Sequence, residues 1–122
     1  MVLASHIAVA GKNKQWYNRT MSKGETRKAL EQIKTITIRG KRYNFRVKRL
    51  KEARGMTEHP TTKNKTVYID DREEGKALLS TLIDELIHCA LWEIENEIVD
   101  EISDDIAEVL WKCGLRFQGD LK

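Results

Sequence analysis

The chain has 122 residues, of which 40% are hydrophobic and 34% charged, and its formal net charge is +3. This length fits one domain with a modest core, and the composition is typical of a globular protein rather than a disordered one. No apolar run approaches the roughly 20 residues that a membrane-spanning helix needs. The opening residues lack the basic segment of a signal peptide, so we expect a cytoplasmic protein without membrane contact.

The charges are distributed very unevenly along the chain. Residues 1–66 contain 17 Lys or Arg and 4 Asp or Glu, whereas residues 67–122 contain 5 Lys or Arg and 15 Asp or Glu. Such an asymmetry indicates a basic surface that could bind nucleic acid or an acidic partner. Alternatively, the opposite charges of the two halves attract each other, or the charged side chains only keep the surface of a small domain hydrated.

The first half of the chain contains the signals of one helix and one hairpin. Residues 1–21 have no clear period and are interpreted as an N-terminal arm, followed by a single domain over residues 22–122. Ser22 and Glu25 form a capping-box pattern, which predicts a helix over residues 23–33. Residues 35–39 and 42–48 alternate in polarity around a turn at Gly40-Lys41, which predicts a β-hairpin with Tyr43, Phe45 and Val47 facing inward.

The second half is predicted to be mainly helical. Residues 51–65 are interpreted as a loop, and residues 66–70 as a third strand. Apolar residues at helical spacing predict one helix to about residue 92 and a second over residues 96–113, ending at Gly114. The apolar stripe of this second helix comprises Ile98, Ile102, Ile106, Val109 and Leu110. The predicted fold is α+β, with an N-terminal helix, a small antiparallel sheet made of the hairpin plus one strand, and two long C-terminal helices.

One turn of the first long helix carries a candidate site, the sequence Asp84-Glu85-Leu86-Ile87-His88. Asp84 and His88 are four residues apart, so their side chains project from the same helix face. Zinc peptidases place two metal ligands one turn apart in this way, with an intervening Glu as general base, in the pattern HExxH. Here Asp84 replaces the first His of that pattern.

The stretch from Thr35 to Leu110 resembles the small phage-encoded SprT-like zinc metallopeptidases. The matching pieces are the hairpin, the loop around Gly55, the strand at residues 66–70, the helix turn at residues 81–90 and the acidic helix around residues 100–107. The resemblance implies a minimal zincin-like domain, zinc or another divalent metal as cofactor, a peptide or protein substrate, and a location in the host cytoplasm. It implies Asp84 and His88 as metal ligands and Glu85 as catalytic base. The third ligand it implies is an acidic residue of the following helix, Glu101 by preference, with Asp104, Asp105 and Glu108 as alternatives. His59, in the loop before the third strand, could replace the missing first His as a metal ligand if that loop folds over the helix.

The Asp84 substitution leaves two interpretations open. Two carboxylates and one imidazole suit Mn²⁺ or Mg²⁺ better than two imidazoles and one carboxylate do, so the site could be a modified metal site. Alternatively, the chain is an inactive member of the same scaffold that binds nucleic acid or a host protein. The basic hairpin would then be the binding surface, through Arg39, Lys41, Arg42, Arg46 and Lys48. In a purely structural interpretation, His88 is a hydrogen-bonded residue beside the core, and Asp84 and Glu85 pair with hairpin cations. The sequence does not indicate an oligomeric state.

Overall fold

A computed structural model describes residues 28–117 of the chain and confirms the α+β class. Residues 28–31 are helical, whereas residues 32 and 33, also predicted as helix, are not; the part of the predicted helix at 23–27 and the arm at 1–21 lie outside the described residues. The remaining elements are four strands and two helices: β1 (Thr35–Ile38), β2 (Lys41–Lys48), β3 (Gly55–Thr57), β4 (Thr66–Asp70), α1 (Gly75–Ala90) and α2 (Asn96–Lys112).

The four strands form one mixed sheet in the order β1-β2-β4-β3. β1 pairs antiparallel with β2, β2 pairs parallel with β4, and β3 pairs antiparallel with β4. The predicted sheet is therefore wrong in two respects, because it lacked β3 and was wholly antiparallel. Strand β3 has only three residues, too few to show an alternating pattern, and it lies within the segment predicted as a loop. The parallel pairing of β2 with β4 is a non-local choice that no local pattern encodes.

The predicted hairpin is confirmed, with its turn one residue earlier than expected. Arg39 and Gly40 occupy the turn with φ angles of 51° and 77°. Two consecutive left-handed residues are the signature of a type I′ turn, whose twist matches that of the flanking strands. The left-handed conformation is unusual for an Arg. Its guanidinium Nη1 donates to the Ala90 carbonyl at the end of α1 (2.9 Å), which holds the turn against that helix.

Helix α1 lies between the sheet and helix α2. One side of α1 covers the inner sheet face, and the other side packs against α2. As predicted, Tyr43 and Phe45 point inward and are buried. The Tyr43 hydroxyl donates to the Cys89 carbonyl (3.2 Å), so this buried phenol is satisfied. The central cluster of buried apolar residues comprises Tyr43, Phe45, Val67, Ile69, Leu78 and Cys89.

Helix α2 packs on α1 through a different face from the predicted one. The face that contacts α1 carries small side chains at four-residue spacing, and Val99, Ser103 and Ala107 are each at most 1% exposed. Small residues at this spacing allow close approach of two helices. The residues Ile98, Ile102, Ile106 and Val109 of the predicted stripe are instead 37–59% exposed. The stripe prediction is thus wrong by a rotation of about 100°, one residue, around the helix axis.

The end of α2 is confirmed at Gly114, which adopts φ +97°. The Gly114 N–H donates to the Trp111 carbonyl and the Leu115 N–H donates to the Leu110 carbonyl, both at 3.0 Å. These two bonds form a Schellman motif, in which a left-handed glycine terminates the helix. Within residues 28–117, no helix combines the length and apolarity that crossing a bilayer requires.

We expect a stabilising substitution at Ser103. Its Oγ is fully buried and has no hydrogen-bond partner within residues 28–117. Ser103→Ala removes this unpaired hydroxyl with little change in volume, so the free energy of unfolding should rise by about 1 kcal/mol in urea titrations. The control is Ser80→Ala, which removes a hydroxyl that donates to Asp104 Oδ1 at 2.5 Å and should not stabilise. A loss of stability in Ser103→Ala would contradict the prediction.

Candidate functional site

A polar seam runs along the contact between the two antiparallel helices. Residues spaced by four along α1 meet residues spaced by four along α2 in the opposite direction. Two rungs of this seam are direct hydrogen bonds, Lys76 Nζ to Glu108 Oε2 (2.7 Å) and Ser80 Oγ to Asp104 Oδ1 (2.5 Å). The next rung pairs Asp84 with Asp100, whose side chains interact closely enough to raise the pKa of Asp84. This rung is exceptional because it joins two acids.

The seam borders a cleft of about 620 Å³ between α1, α2 and strand β3. Among the charged residues that line the cleft, Arg54 is the only Lys or Arg, and it is bound to Glu73 (Nε–Oε1 2.9 Å). Clefts lined by one sign of charge concentrate counter-ions, so this cleft favours a cation. The acidic residues that line it are Glu52, Asp84, Glu85, Asp100 and Asp104.

Asp84 connects His88 to Asp100. Its Oδ1 lies 3.0 Å from His88 Nε2, and both side chains are more than four-fifths buried. Burial raises the pKa of Asp84 to about 7, and so do the hydrogen bond with Asp100 and the nearby negative charges of Glu85, Asp100 and Asp104. Burial lowers the pKa of His88. Asp84 consequently keeps a proton up to about neutral pH, where the His88 imidazole is uncharged.

Glu85 lies at the floor of the cleft, only 7% exposed. Its Oε1 accepts a hydrogen bond from the Thr57 hydroxyl of β3 (2.7 Å). Burial raises the pKa of Glu85, while the Thr57 hydrogen bond acts in the opposite direction. Gly55 lies directly above, where a Cβ atom would be 2.8 Å from Glu85 Oε2. The backbone of β3 at Gly55 therefore lies so close to the Glu85 side chain that a larger residue at position 55 would collide with it.

His59, an alternative ligand in the sequence interpretation, is separated from the cleft by Trp92. The His59 ring contacts the Trp92 ring edge-on, with centroids 4.8 Å apart, and Trp92 lies 6.1 Å from the His88 ring. His59 Nδ1 accepts the Thr61 N–H (3.1 Å), which fixes the ring in its own loop. His59 does not line the cleft.

The acidic candidates on α2 are placed differently from one another. Glu101 and Asp105 are exposed and do not line the cleft. Glu108 pairs with Lys76 and Lys112, away from His88. Asp104 lines the cleft and accepts the Ser80 hydroxyl, whereas Asp100, which the sequence interpretation missed, is the residue that bonds Asp84. With Val99, Ser103 and Ala107 packed on α1, the neighbouring acids Asp100 and Asp104 line the cleft, and Glu101 and Asp105 do not.

The side chains do not form a ready-made metal cage. Among the described residues, no three His, Cys, Asp or Glu side chains are arranged as they stand to hold an ion. The reason is the direct contact of Asp84 with His88 on one side and with Asp100 on the other.

The basic hairpin residues separate into two groups. Arg39 and Lys41 line a second depression near the C-terminal end of α1, together with Trp92. Arg42, Arg46 and Lys48 are exposed on the sheet face opposite α1. The hairpin cations form no ion pair with Asp84 or Glu85 within residues 28–117, which removes that part of the structural interpretation.

Comparison of the chain with models of known protein families, with curated proteins and with solved structures found no match in any of the three.

Proposed function

We propose that the cleft is the divalent-metal centre of a hydrolase that acts on peptide bonds, on a zincin-like scaffold. Asp84, His88 and Asp100 would bind the ion, and Glu85 would be the general base. The observation that carries this proposal is the contact of Asp84 Oδ1 with His88 Nε2 (3.0 Å) in an acidic cleft that Asp100 also lines. Two adjacent carboxylates cannot both ionise cheaply unless a cation neutralises them.

The chemistry of the donor set fits a divalent ion. Carboxylate oxygen and imidazole nitrogen are accepted ligands of Zn²⁺, and a carboxylate-rich set also suits Mn²⁺. An ion would have to displace the proton that Asp84 holds and separate Asp84 Oδ1 from His88 Nε2, now 3.0 Å apart. When bound, such an ion would polarise a substrate carbonyl and acidify water. Asp100 replaces Glu101 in this proposal because it faces Asp84.

Glu85 has the features of a proton carrier. It is buried and its pKa is raised by that burial, which brings a carboxylate towards the range useful for general base catalysis. The Thr57 hydroxyl holds one oxygen, and the other lies on the side of Gly55. Thr57 and Gly55 belong to an edge strand, so an extended peptide can pair with the free side of β3 and run past Glu85.

We expect Asp100→Asn to weaken metal binding strongly and Glu101→Gln to leave it unchanged. Both variants remove one negative charge from neighbouring positions of α2, but only Asp100 lines the cleft. Isothermal titration with Zn²⁺ and with Mn²⁺ should show at least about a tenfold loss for Asp100→Asn, since even outer-shell changes cost that much. Equal effects of the two variants would exclude Asp100 as a specific ligand.

The pH dependence of metal binding provides a second measurement on the same proteins. Below pH about 7 Asp84 holds a proton that the ion must displace, so affinity should rise with pH up to that value and then level off. Asp84→Asn should remove this dependence and leave only the contribution of His88 titration. Failure of the unmodified chain to bind either ion at about pH 8 would overturn the metal centre.

Glu85→Gln should retain the metal and lose hydrolysis. The amide has nearly the same volume and can still accept the Thr57 hydrogen bond, but it cannot take a proton from water. Cleavage of an unfolded protein substrate should fall by about 100-fold or more, while the titrated metal affinity stays within a few-fold. Unchanged cleavage would overturn the role of Glu85, and absence of cleavage by the unmodified metal-loaded chain would leave a binding protein on this scaffold.

A further inference from the structure

We infer that the face of the sheet opposite α1 binds single-stranded nucleic acid. This outer sheet face comprises Arg42, Arg46 and Lys48 of β2, Tyr68 of β4 and Met56 of β3. Successive side chains of a strand alternate between faces, and Tyr43 and Phe45 are buried under α1, so their neighbours on β2 point the other way. The proposal does not depend on the hydrolase function, because the three cations and Tyr68, which carry it, do not line the cleft.

The positive charges of the outer sheet face are not paired with acidic side chains within residues 28–117. Arg42, Arg46 and Lys48 are exposed, and none of them forms an ion pair within residues 28–117. The carboxylate on the same face of β4, Asp70, is 4% exposed and accepts hydrogen bonds from Arg72 Nε (2.8 Å) and the Leu50 N–H (2.9 Å). Three free cations on one strand, beside a neutralised acid, attract a polyanion.

An aromatic ring lies in the middle of this charge. Tyr68 is directly opposite Arg46 on β2 and opposite Met56 on β3. Its ring is only partly buried, Lys48 Nζ lies 5.3 Å from the ring centroid, and Met56 is 47% exposed. A partly exposed ring beside cations is an arrangement on which unpaired bases stack, while Lys and Arg contact the phosphates.

The shape of the surface favours a single strand over a duplex. A pleated sheet face presents no helix or ribbon that projects into a major groove. The Tyr68 ring can stack only on a base that is not already stacked and paired, as in single strands and loops. The residues involved cover one short stretch of β2 and its neighbours, which suits a site on the order of four nucleotides.

The test is fluorescence anisotropy of the full chain with labelled oligo-dT and oligo-rU of about ten nucleotides, and with a duplex of the same length. Both single strands should bind more tightly than the duplex. The logarithm of affinity should fall with the logarithm of salt concentration with a slope of about −2, from three phosphate contacts at −0.7 each. The two single strands separate DNA from RNA as the preferred form.

Two variants and one matched control locate the site. Arg46→Gln/Lys48→Gln should weaken binding about tenfold at low salt and reduce the salt slope by about 1.4. Lys76→Gln/Lys112→Gln removes the same charge from the two helices and should change affinity less than about twofold. Tyr68→Leu, which keeps an apolar side chain on the strand, should weaken binding about tenfold without changing the slope. Circular dichroism checks that each variant is folded.

Three results would overturn the proposal. The first is no binding of either single strand at about 50 mM salt. The second is equal weakening by the double variant and its control, which would mean that only net charge matters. The third is binding of heparin or duplex as tight as that of single strands, with Tyr68→Leu without effect; this would show an unspecific basic surface that an acidic protein could occupy equally well.

Discussion

Replacing Gly55 by alanine should destabilise the protein and displace the candidate base. A Cβ atom at this position would lie 2.8 Å from Glu85 Oε2, 2.9 Å from Glu85 Cγ and 2.9 Å from Thr81 Cγ2. Real Cβ contacts of this length do not occur, so β3 must move away from α1 or Glu85 must leave its place. Glu85 cannot move without cost, because it is buried and holds the Thr57 hydroxyl.

We expect Gly55→Ala to lower the free energy of unfolding by about 1–3 kcal/mol, the usual cost of overpacking. This loss should appear although alanine normally stabilises a strand relative to glycine. Metal affinity and hydrolysis should fall together with stability, since the displaced group is in the cleft. Urea unfolding and metal titration on the same preparation measure both effects.

A double-mutant cycle separates the steric cause from a general loss of fold. In a Glu85→Ala background most of the atoms that meet the new Cβ are absent, so Gly55→Ala should cost much less there. Thr81→Ser offers a milder version, because it removes Cγ2 and retains the hydroxyl that donates to Glu73 Oε1 (2.6 Å). If Gly55→Ala costs the same in all three backgrounds, or nothing in any of them, the contact with α1 is not the reason for glycine at this position.

The sequence was sufficient for those features that depend on local patterns. The alternation over residues 42–48 identified the buried side of β2, and the apolar spacing from Leu78 onward identified α1. Gly114 ended α2 as predicted because a left-handed residue is needed there. The turn Asp84–His88 follows from the helix alone, since residues four apart share a face of any helix.

What the sequence did not reveal depends on packing between distant elements. The strand β3 is defined by pairing with β4 and by its fit over Glu85, and three residues carry no period. The orientation of α2 depends on which of two faces of this helix packs on α1. The larger apolar side chains, such as Ile102 and Ile106, predicted one face, but the smaller Ser103 and Ala107 allow the closer helix contact. A stripe of small residues at four-residue spacing was the available signal.

This orientation determined the identity of the third acidic residue in the site. With the isoleucine face on α1, Glu101 and Asp105 would flank the contact. With Val99, Ser103 and Ala107 on α1, the flanking acids at the cleft are Asp100 and Asp104. Burial, and after it the pairing with Asp100, raise the pKa of Asp84, which no single residue of the turn could have indicated.

Asp84→His should convert the helix turn into a strong zinc site. It places two imidazoles four residues apart on α1 and removes the carboxyl of Asp84, which keeps a proton up to about neutral pH. The larger side chain enters an open cleft of about 620 Å³, so we expect the fold to be retained. Zn²⁺ affinity should rise by at least about tenfold, and preference for Zn²⁺ over Mn²⁺ should increase, because imidazole replaces a hard oxygen ligand.

The control is Asp104→His, which makes the same change of side chain on α2, at another position that lines the cleft. It also removes one acid and adds one imidazole, but position 104 lies next to Ser80 and not one turn from His88 on the same helix. We expect no comparable gain in Zn²⁺ affinity from it. An equal gain in both variants would show that any added imidazole in the cleft suffices; no gain in either would show that this turn of α1 does not present metal ligands.

Hydrolysis by the Asp84→His protein decides between an altered enzyme and one that has lost catalysis. Asp84 reduces the net charge of a bound ion relative to a neutral imidazole, so its water would be less acidic and its attack slower. If the weaker acidity of the metal-bound water is the only reason for slow hydrolysis, zinc-loaded Asp84→His should cleave an unfolded substrate faster than the unmodified chain. Adding Glu85→Gln to this variant should abolish the gain. Tighter zinc binding without any cleavage would mean that the alignment of Glu85 and β3 no longer supports the reaction, and the cleft would then be a metal-binding site only.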